Sequence, residues 1–458
     1  MRVLMVQALS TEEPFQEKVY PLGAAILANW LGQAGFEVDL LDLNVAREPY
    51  QALKEKLLGF RPEAVGLSLR NIDPLGNKTS SLIPPFAVTV RLISAVWPKA
   101  RIIAGGTGFS LFPGRLMREF PQIRYGVVGE AEMTLPALLA SLDNPPSLPG
   151  LCVRKGDRVV VNPPARHFDM SHYSPPVNLL ADPVLYTAAN RYVPPFGIET
   201  KRGCGIGCTY CAYPLLQGKR LRCRPVGQVV DQMELLNKQY GIERFHFTDP
   251  VLNTPRGHLE TICEEILRRK LSVRWNGFFR EDLVDENNIG LFEQAGCECF
   301  SFSPDGLSQE ALDVLGKGLS VAHILKAAKL ASRTGVLSVY HFMVNVPGET
   351  VKTAERGIRL LAEIFDLHAA GRNLGTVVLN NIRILPGTPM EAMARELGVI
   401  EKDTDLLYPV YFNPRPFDTL RYRLETLQLT RNVFLWQEVP RNEGNPFGTP
   451  AEYQSGTL

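Results

Sequence analysis

Three of the eight cysteines in this 458-residue chain lie close together, in the segment KRGCGIGCTYCAYP (201–214). Cys204, Cys208 and Cys211 have the spacing CxxxCxxC, and glycines stand on both sides of the first cysteine. Three thiolates on one tight loop can hold three irons of a four-iron cluster and leave the fourth iron open. The glycines would let the backbone wrap around such a cluster.

The cysteine spacing also allows a zinc site or no metal site at all. A zinc site needs a fourth ligand, and His246 or Cys223 could supply it, although neither has a characteristic zinc spacing. The three cysteines could also be unrelated buried side chains. Lys201 and Arg202 stand just before the loop, and we expect these cations to offset thiolate charge.

The elements around the cysteines alternate between strands and helices from residue 196 to about 390. Helical patterns such as 226–240 and 259–270 separate the candidate strands. Six strands over this length predict a partial (β/α)6 barrel, similar to a TIM barrel, whose chemistry takes place in the loops after the strands. The cysteines follow the first strand directly. The predicted strands are 196–200, 244–249, 272–279, 299–304, 338–346 and 376–385.

Two of the seven histidines fall within these predicted strands, and no HxxxH pair is present. His246 and His341 could therefore face the interior of the barrel. We expect both to be core histidines with satisfied hydrogen bonds.

Residues 1–142 show the same alternation and predict a separate doubly wound, Rossmann-like domain with a parallel sheet. The predicted strands are 2–6, 37–43, 64–69, 101–106 and the start of 125–142, and the predicted helices include 21–36, 49–60, 86–98 and 114–120. Such sheets bind ligands at the carboxyl ends of their strands. The loops 68–81, 105–114 and 129–132 lie there, and their glycines let backbone approach a flat ligand. Ordinary turn chemistry is the alternative.

Two further regions complete the predicted organisation. Residues 143–195 read as a proline-rich linker with a β-hairpin that turns near Gly156. Residues 391–458 read as a small C-terminal region with a helix at 420–439 and a tail at 441–458.

Composition argues against several classes of protein. The 49 Lys and Arg residues balance 48 Asp and Glu residues, and no basic patch alternates with aromatics, so we expect no nucleic-acid partner. The apolar runs are much shorter than a membrane span, and MRVLMVQALS lacks the pattern of a signal peptide. We therefore expect a cytoplasmic protein without a membrane partner, in which clustered cysteines serve metal or redox chemistry.

The cysteine spacing, with the aromatic Tyr210 before the third cysteine, resembles the signature of the radical S-adenosylmethionine superfamily. The N-terminal domain resembles the cobalamin-binding domain that precedes the barrel in one large subclass, because RNID, GGTGFS and GEAE fit its loops. Later stretches that resemble the family's strand ends are FTDPVLN (247–253), NGFFRED (276–282), FSPDGLSQEALDVLGKG (302–318), NVPGET (345–350) and RILPGTPM (383–390).

The resemblance implies a site where the open iron chelates the amino and carboxylate groups of S-adenosylmethionine. Side chains at the strand ends would hold the rest of this molecule. The implied residues are Asp249 and Arg280 at the methionyl group, Tyr210 and Asn345 at the adenine, and Ser303 and Asp305 at the ribose. A structural role is the alternative for each of them.

The resemblance also implies a cobalamin site on the N-terminal loops. The implied contacts are Ser68, Leu69, Arg70, Asn71, Gly105, Gly106, Thr107, Gly129 and Glu130. Many cobalamin domains ligate cobalt through the histidine of a DxHxxG stretch, whereas the first histidine here is His167. The domain could therefore have lost cobalamin. If cobalamin binds, Arg70 would lie under the lower face of cobalt without coordinating it; the alternative is an ion pair with Asp73 or Glu130.

We therefore expect a cobalamin-dependent radical S-adenosylmethionine C-methyltransferase that acts on a small molecule or natural-product intermediate. The resemblance implies a 5′-deoxyadenosyl radical that takes hydrogen from carbon, and methylcobalamin as methyl donor. A cyclase, ring-rearranging or oxidising enzyme with the same cofactors is one alternative, and a cobalamin or redox sensor is another. The implied cofactors are a 4Fe-4S cluster, S-adenosylmethionine and cobalamin. We expect a monomer that receives electrons from a flavodoxin or ferredoxin, with residues 391–458 on the substrate side.

Overall fold

The computed structural model describes residues 1–10, 18–74, 80–156, 158–164, 167–176, 182–188, 193–412 and 435–436. Two sheets with flanking helices account for most of this part of the chain. The first sheet lies in the N-terminal third, and the second begins just before the cysteine segment.

The N-terminal sheet has the strand order β2-β1-β3-β4-β5-β6-β7, and its first five strands are parallel. Its strands are β1 (Arg2–Gln7), β2 (Glu37–Asp42), β3 (Ala64–Ser68), β4 (Arg101–Gly105), β5 (Ile123–Val127), β6 (Leu151–Lys155) and β7 (Arg158–Val161). Its helices are α1 (Leu22–Gln33), α2 (Pro49–Phe60), α3 (Ile83–Val96), α4 (Thr107–Leu111), α5 (Pro113–Glu119) and α6 (Thr134–Ala140). The order reverses between β1 and β3, which opens a crevice at the carboxyl ends of the strands.

This arrangement confirms the predicted doubly wound domain, and α2 has the predicted bounds. The segment 105–114 differs from the predicted loop, because it contains α4 and the start of α5. Gly106, with φ +97°, turns the chain sharply enough for a helix to begin directly after β4.

The predicted hairpin is present as β6 and β7, and β6 pairs antiparallel with β5. The N-terminal sheet therefore continues through residue 161, beyond the proposed domain end at residue 142. Asp157 in the hairpin turn lies outside the described residues. The boundaries of the four regions remain a prediction.

The second sheet has the order β16-β15-β14-β13-β12-β11-β8, and all but β16 are parallel. Its strands, with the short pair β9 and β10, are β8 (Phe196–Ile198), β9 (Lys201–Arg202), β10 (Arg222–Cys223), β11 (Arg244–Phe247), β12 (Arg274–Phe279), β13 (Cys297–Asp305), β14 (Leu337–Val344), β15 (Leu374–Arg383) and β16 (Tyr411–Phe412). The helices are α7 (Val184–Thr187), α8 (Tyr213–Gln217), α9 (Val226–Tyr240), α10 (His258–Arg268), α11 (Ile289–Gln294), α12 (Gln309–Val314), α13 (Val321–Ala331), α14 (Val351–Ala369) and α15 (Pro389–Glu396). All six predicted barrel strands are confirmed, and in the described residues β8 and β15 do not pair, so the sheet is an open half-barrel.

The two faces of the half-barrel differ because side chains alternate along each strand. The face against the helices carries the buried aromatic residues Phe245, Phe247, Trp275, Phe279, Phe300, Phe302, Tyr340 and Phe342. The opposite, concave face is called the lumen here. Its partly exposed residues include His246, Asn276, Phe278, Ser301, Ser303 and His341.

Buried contacts join the two sheets. The ring of Tyr20 packs on Phe196 of β8, with centroids 5.6 Å apart. Asp73, which follows β3, pairs with Arg383 at the end of β15 at 2.9 Å. Because Asp73 and Arg383 both lie at carboxyl ends of strands, the ligand-binding edges of the two sheets face each other.

The predicted C-terminal helix at 420–439 lies mostly outside the described residues. Leu435–Trp436, the described part of it, is instead a short strand, β17, which pairs in parallel with β15. The tail at 441–458 also lies outside the described residues. Within the described ranges, every helix is too short or too polar to span a bilayer.

Candidate functional site

The loop that carries the cysteines, residues 203–221, is closed at its base by two short strands. β9 and β10 pair antiparallel and place Arg202 opposite Arg222. Gly203 opens the loop with φ +90°, and a Cβ there would lie 2.1 Å from the carbonyl oxygen of Arg220. Only glycine fits this position, so the first turn of the loop depends on it.

The three thiols are half-buried on this loop. Burial raises the pKa of Cys208 and raises the pKa of Cys211 to about 12, so these thiols keep their protons unless a cation binds them. The charge of Lys317 acts in the opposite direction on both. The backbone N–H of Tyr213 donates to Sγ of Cys211 at 3.4 Å, a contact that stabilises a metal-bound sulfur.

This donor set fits a four-iron cluster better than a single ion. Across the described ranges, no three His, Cys, Asp or Glu side chains converge on one point as a single metal ion requires. A four-iron cluster binds each thiolate through a different iron, so separate thiols on one loop suit it. Nδ1 of His246 lies 2.6 Å from Oδ1 of Asn276. Cys223 is paired with Lys201 between β10 and β9. Neither joins the cysteines, and the zinc alternative loses its fourth ligand.

Lys201 and Arg202 do not offset the thiolate charge, contrary to expectation. Nζ of the buried Lys201 lies 2.8 Å from Oδ2 of Asp249, and Arg202 lies 3.0 Å from Glu199. These carboxylates neutralise both cations. The cation that favours the thiolates is Lys317 instead.

Asp249 is a buried acceptor for the strand that leads into the cysteine loop. Its Oδ1 accepts the backbone N–H groups of Thr200 at 2.8 Å and Lys201 at 3.1 Å. Its Oδ2 accepts the Thr200 hydroxyl at 2.5 Å and Lys201 Nζ at 2.8 Å. These four donors occupy the carboxylate, so its contacts support a structural role rather than the predicted pairing with a methionyl amine.

Tyr210, Asp305 and Lys317 form a hydrogen-bonded group beside the cysteine loop. The Tyr210 hydroxyl and the Lys317 ammonium both donate to Oδ2 of Asp305. Burial and the charge of Asp305 raise the pKa of Tyr210, which therefore stays a neutral donor. Burial alone would lower the pKa of Lys317, but Asp305 raises it overall, so Lys317 stays a cation.

Arg280 follows β12 and binds the loop that carries Lys317. Its guanidinium donates to the carbonyl oxygens of Lys317 at 2.8 Å and Gly318 at 3.1 Å. Its Nε lies 2.7 Å from Asp282. The structure therefore brings the predicted residues Tyr210, Asp305 and Arg280 together around one loop.

Lys317, the residue that connects this group, was not predicted from the sequence. The available signal was its position between two glycines. Gly316 and Gly318 both have positive φ, and a Cβ on Gly316 would lie 2.7 Å from the carbonyl oxygen of Gly207 in the cysteine loop. This close approach places Lys317 near the thiols.

Two neighbouring strand ends have left-handed backbone at residues other than glycine. Asp305 ends β13 with φ +66°, and Asn345 follows β14 with φ +59°. Such conformations cost free energy and concentrate at functional sites. Asn345 is buried and donates from Nδ2 to Oδ1 of Asn381 at 2.9 Å. The backbone supports a functional role for these two predicted positions.

The lumen contains the two histidines that we expected to be core residues with satisfied hydrogen bonds; the core placement was wrong for both, whereas His246 does have a hydrogen-bond partner, Asn276. Both are half-buried, and the ring of Phe278 lies 6.1 Å from His246 and 5.7 Å from His341, edge-on to each. Burial lowers the pKa of both imidazoles, so they are neutral near pH 7. The imidazole of His341 has no hydrogen-bond partner within the described ranges. Ser303 lies on the same face.

The loops after β3 and β4 pack directly on each other. The N–H of Gly108 donates to the carbonyl oxygens of Leu69 at 3.0 Å and Arg70 at 2.8 Å, and the Thr107 hydroxyl donates to Arg70 at 2.5 Å. A Cβ on Gly106 would lie 2.5 Å from the carbonyl oxygen of Leu69. Any side chain at residue 106 would clash with the loop after β3, so this position requires glycine.

The remaining predicted residues of these loops lie at the same edge. Ser68 is opposite Gly105 in the sheet, and Asn71 packs against Gly108. The structure thus assembles Ser68 through Asn71 with Gly105 through Thr107, as the cobalamin prediction requires.

Arg70 is exposed at this edge and makes no ion pair with any described residue. The two partners considered for it are engaged elsewhere: Asp73 pairs with Arg383, and Glu130 pairs with arginines of the half-barrel. Burial is the main cause that lowers the pKa of His246, and the positive charge of Arg70 lowers it further. The charge of Arg70 therefore acts on a residue of the lumen and on Tyr213 in the cysteine loop.

Gly129 and Glu130 do not form an open ligand surface. Gly129 donates its N–H to Oγ of Ser110 at 3.0 Å. The Glu130 side chain is 9% exposed, lies 2.5 Å from Arg222 and accepts the N–H of Phe168 at 2.6 Å. Its contacts attach the N-terminal domain to the half-barrel rather than to a cofactor.

Two family models match the two sheets. The B12 binding domain matches residues 14–139, and the radical SAM superfamily matches residues 198–361. The second match contains all three clustered cysteines. The first match contains Arg70 and the loops at the carboxyl edge of the N-terminal sheet.

Similar proteins include enzymes with two kinds of activity. The tryptophan 2-C-methyltransferase of Streptomyces laurentii is 26% identical over 446 residues, covering 83% of this chain and 72% of that protein. The anaerobic magnesium-protoporphyrin IX monomethyl ester cyclase of Rubrivivax gelatinosus is 25% identical over 354 residues, covering 74% of this chain and 61% of that protein.

A solved structure has the same fold over nearly the whole chain. The radical S-adenosylmethionine methyltransferase TsrM of Kitasatospora setae, with tryptophan and an S-adenosylmethionine analogue bound, superposes with a TM-score of 0.76. Its identity is 23%, and the match covers 93% of this chain and 88% of that one.

Proposed function

The chain is a cobalamin-dependent radical S-adenosylmethionine enzyme, and we propose that it is a C-methyltransferase acting on a small molecule. Its cofactors are a 4Fe-4S cluster, S-adenosylmethionine and cobalamin. The match to the radical SAM superfamily over residues 198–361 favours an enzyme over the sensor alternative. Methyl transfer to carbon is the more specific part of the proposal.

The observation that carries the proposal is that the two ligand-binding edges face each other. The Asp73–Arg383 pair holds the carboxyl end of β3 against that of β15. Arg70 stands exposed in the same region, and its charge acts on His246 in the lumen. A group held on the N-terminal edge would therefore face a substrate in the half-barrel, as direct methyl transfer requires.

The chain's own residues would hold the reactants and fix their spacing. When bound, the three cofactors supply radical and methyl chemistry that side chains cannot provide. Cys204, Cys208 and Cys211 would bind the cluster. Asp305, held by Tyr210 and Lys317, would fix the end of β13 against the cysteine loop.

Arg70 would occupy the lower face of cobalamin in place of a coordinating histidine. An arginine stays protonated in proteins and has no lone pair for a metal. Arg70 would therefore contact the cofactor through its charge and not as a metal ligand. No histidine precedes His167 in the sequence, so residues 1–166 offer no imidazole for this purpose.

The lumen would bind the methyl acceptor between neutral imidazoles and an aromatic ring. His246 and His341 can each donate or accept a hydrogen bond, and Phe278 offers its ring. Tryptophan is the first acceptor to test, because one relative is named for its methylation. An aromatic acceptor could also pack against the edges of these rings in an edge-to-face arrangement.

A second candidate function is ring formation or oxidation with the same cofactors. The relative from Rubrivivax gelatinosus, a cyclase, favours it. Nothing in the cysteine loop distinguishes the two, since the outcome depends on how the substrate is placed.

We further propose a cytoplasmic monomer that receives electrons from a flavodoxin or ferredoxin and has no nucleic-acid partner. The net charge of +1 gives no electrostatic reason for nucleic-acid binding. The C-terminal region after residue 391 would lie on the substrate side of the half-barrel.

The test uses anaerobically reconstituted protein with cobalamin, a reductant, S-adenosylmethionine and tryptophan or another acceptor. We expect 5′-deoxyadenosine and S-adenosylhomocysteine to form together with a methylated acceptor. Cys208→Ala, the control, should form no 5′-deoxyadenosine, because two thiolates cannot hold the cluster.

Two results would change the proposal. If 5′-deoxyadenosine forms without S-adenosylhomocysteine across a set of acceptors, the cyclase or oxidase candidate replaces methyl transfer. If Cys208→Ala retains wild-type 5′-deoxyadenosine formation, the cysteine loop is not the cluster site.

A further inference from the structure

Two arginines flank the cysteine loop, and acidic residues of the N-terminal domain hold both of them. Arg202 precedes the loop, and Arg222 follows it on the opposite strand. Oε1 of Glu132 lies 2.7 Å from Nη1 of Arg202. Glu130 binds Arg222 through both oxygens, at 2.5 and 2.9 Å. Glu130 and Glu132 are called the acidic clamp below.

The clamp is buried between the two domains. Arg202 and Glu132 are 8% and 4% exposed, and Arg222 and Glu130 are 12% and 9% exposed. Coulombic attraction is strong where water is excluded, so these pairs hold the N-terminal domain against the base of the loop, while Glu199 binds Arg202 from the half-barrel side. These contacts therefore fix the positions of Arg202 and Arg222 more firmly than exposed ion pairs would.

The clamp reaches the first cysteine through a short chain of hydrogen bonds. Nη2 of Arg222 donates to the carbonyl oxygen of Gln217 at 2.8 Å. The Gln217 side chain accepts the N–H of Gly203 at 3.4 Å. The carbonyl oxygen of Gly218 accepts the N–H of Cys204 at 3.0 Å. A displacement of Arg222 would thus move the backbone at Gly203 and at the N–H of Cys204.

We propose that Glu130 and Glu132 are positioning residues for the iron–sulfur cluster. They belong to the domain that binds cobalamin, yet their carboxylates hold the base of the loop that binds iron. The clamp therefore sets the cluster at a fixed place relative to the N-terminal domain. This role does not depend on methyl transfer, because a cyclase with the same cofactors would need it equally.

The chain offers a matched control in the second buried ion pair between the domains. Asp73 and Arg383 lie 2.9 Å apart and are 3% and 10% exposed. Their contacts are to the end of β15 and to Leu406, not to the cysteine loop. Asp73→Asn therefore weakens domain docking without touching the loop.

The experiment compares reconstituted holoenzyme carrying Glu132→Gln, Glu130→Gln or Asp73→Asn. Iron per chain, the electron paramagnetic resonance spectrum of the reduced cluster with and without S-adenosylmethionine, and the midpoint potential are measured. We expect the two clamp variants to retain less than half of the wild-type iron. The cluster that remains should have an altered spectrum and potential, whereas Asp73→Asn should match the wild type in all three.

Circular dichroism establishes that each variant is folded, and Glu130→Asp replaces any glutamine variant that is not. Glu130→Asp keeps the charge but shortens the side chain, so its spectrum should change in the same direction. Wild-type iron and spectra in the folded clamp variants would overturn the proposal. Equal changes in Asp73→Asn would also overturn it, since general loosening of the domains would then account for the effect.

Discussion

The two faces of the half-barrel are made by the same strands but have opposite character. Toward the helices, β11 to β14 present eight aromatic side chains that are at most 2% exposed. Toward the lumen, the residues between them are histidine, asparagine, serine and a 36% exposed phenylalanine. One face removes apolar area from water, and the other leaves polar groups accessible to a ligand.

This difference separates stability from chemistry within one sheet. The aromatic rings contact each other along the outer face, as Phe279 and Phe300 do at 5.1 Å. The lumen keeps its imidazoles accessible and therefore buries less apolar area. Substitutions on the outer face should therefore change folding, and substitutions in the lumen should change ligand binding or electrostatics.

The largest expected effect is on the free energy of unfolding, and it is tested by truncating one aromatic ring on each face. Phe300→Ala should lower the free energy of unfolding by about 3–5 kcal/mol, because a buried ring leaves a cavity. Phe278→Ala should lower it by about 1 kcal/mol or less, since that ring is already partly exposed. Urea unfolding of the cofactor-free chain, followed by circular dichroism, measures both. Similar losses in the two variants would remove the proposed difference between the faces.

The barrel strands were predictable because each is a short apolar run with turns on both sides. The alternation within them was also visible, as in RFHF, where His246 interrupts buried phenylalanines. Sequence analysis nevertheless placed His246 in the core, because a lone histidine in an apolar strand gives no sign of which face is solvated. The curvature of the sheet decides this, and curvature is a property of all the strands together.

The cluster loop was predictable from cysteine spacing, but the charges around it were not. Lys201 and Arg202 are adjacent to the loop in sequence, yet carboxylates neutralise both. Lys317 approaches the thiols from a distant loop. Glu130 and Arg222 are 92 positions apart and meet only when the domains dock. The spacing of the cysteines identifies the metal ligands. Ion pairs between residues distant in sequence decide which cations remain to offset the thiolate charge.

A second test of the comparison concerns Glu281, a buried acid two residues after β12. It is 1% exposed, and its carboxyl oxygens have no hydrogen-bond partner on another described residue. Burial raises its pKa to about 8. Because the folded pKa lies above the ordinary value, the folded state favours the neutral acid, and stability is lost as pH rises from 4.5 through 8.

Glu281→Gln should therefore stabilise the protein at pH 9 by about 2–4 kcal/mol and have little effect at about pH 4.5. Denaturation at the two pH values measures the difference. Glu234 on α9 is the control, because side-chain hydrogen bonds to Lys238 and Arg269 lower its pKa and Glu234→Gln should not stabilise at that higher pH. A stabilisation by Glu281→Gln that is the same at both pH values would show that ionisation is not its cause.

The smallest expected effect tests whether the N-terminal edge acts on the lumen. Burial lowers the pKa of both His246 and His341, but the charge of Arg70 contributes only to His246 among the causes identified. Arg70→Gln should raise the pKa of His246 slightly, because removal of a nearby cation makes protonation of the imidazole less costly. His341, whose electrostatic neighbour is Asp305, should not change. Nuclear magnetic resonance titration of the two imidazoles in the same sample provides the measurement and its internal control. If the pKa values of both histidines change equally, the variant has altered the whole lumen. If neither pKa changes, the charge of Arg70 does not act on the lumen.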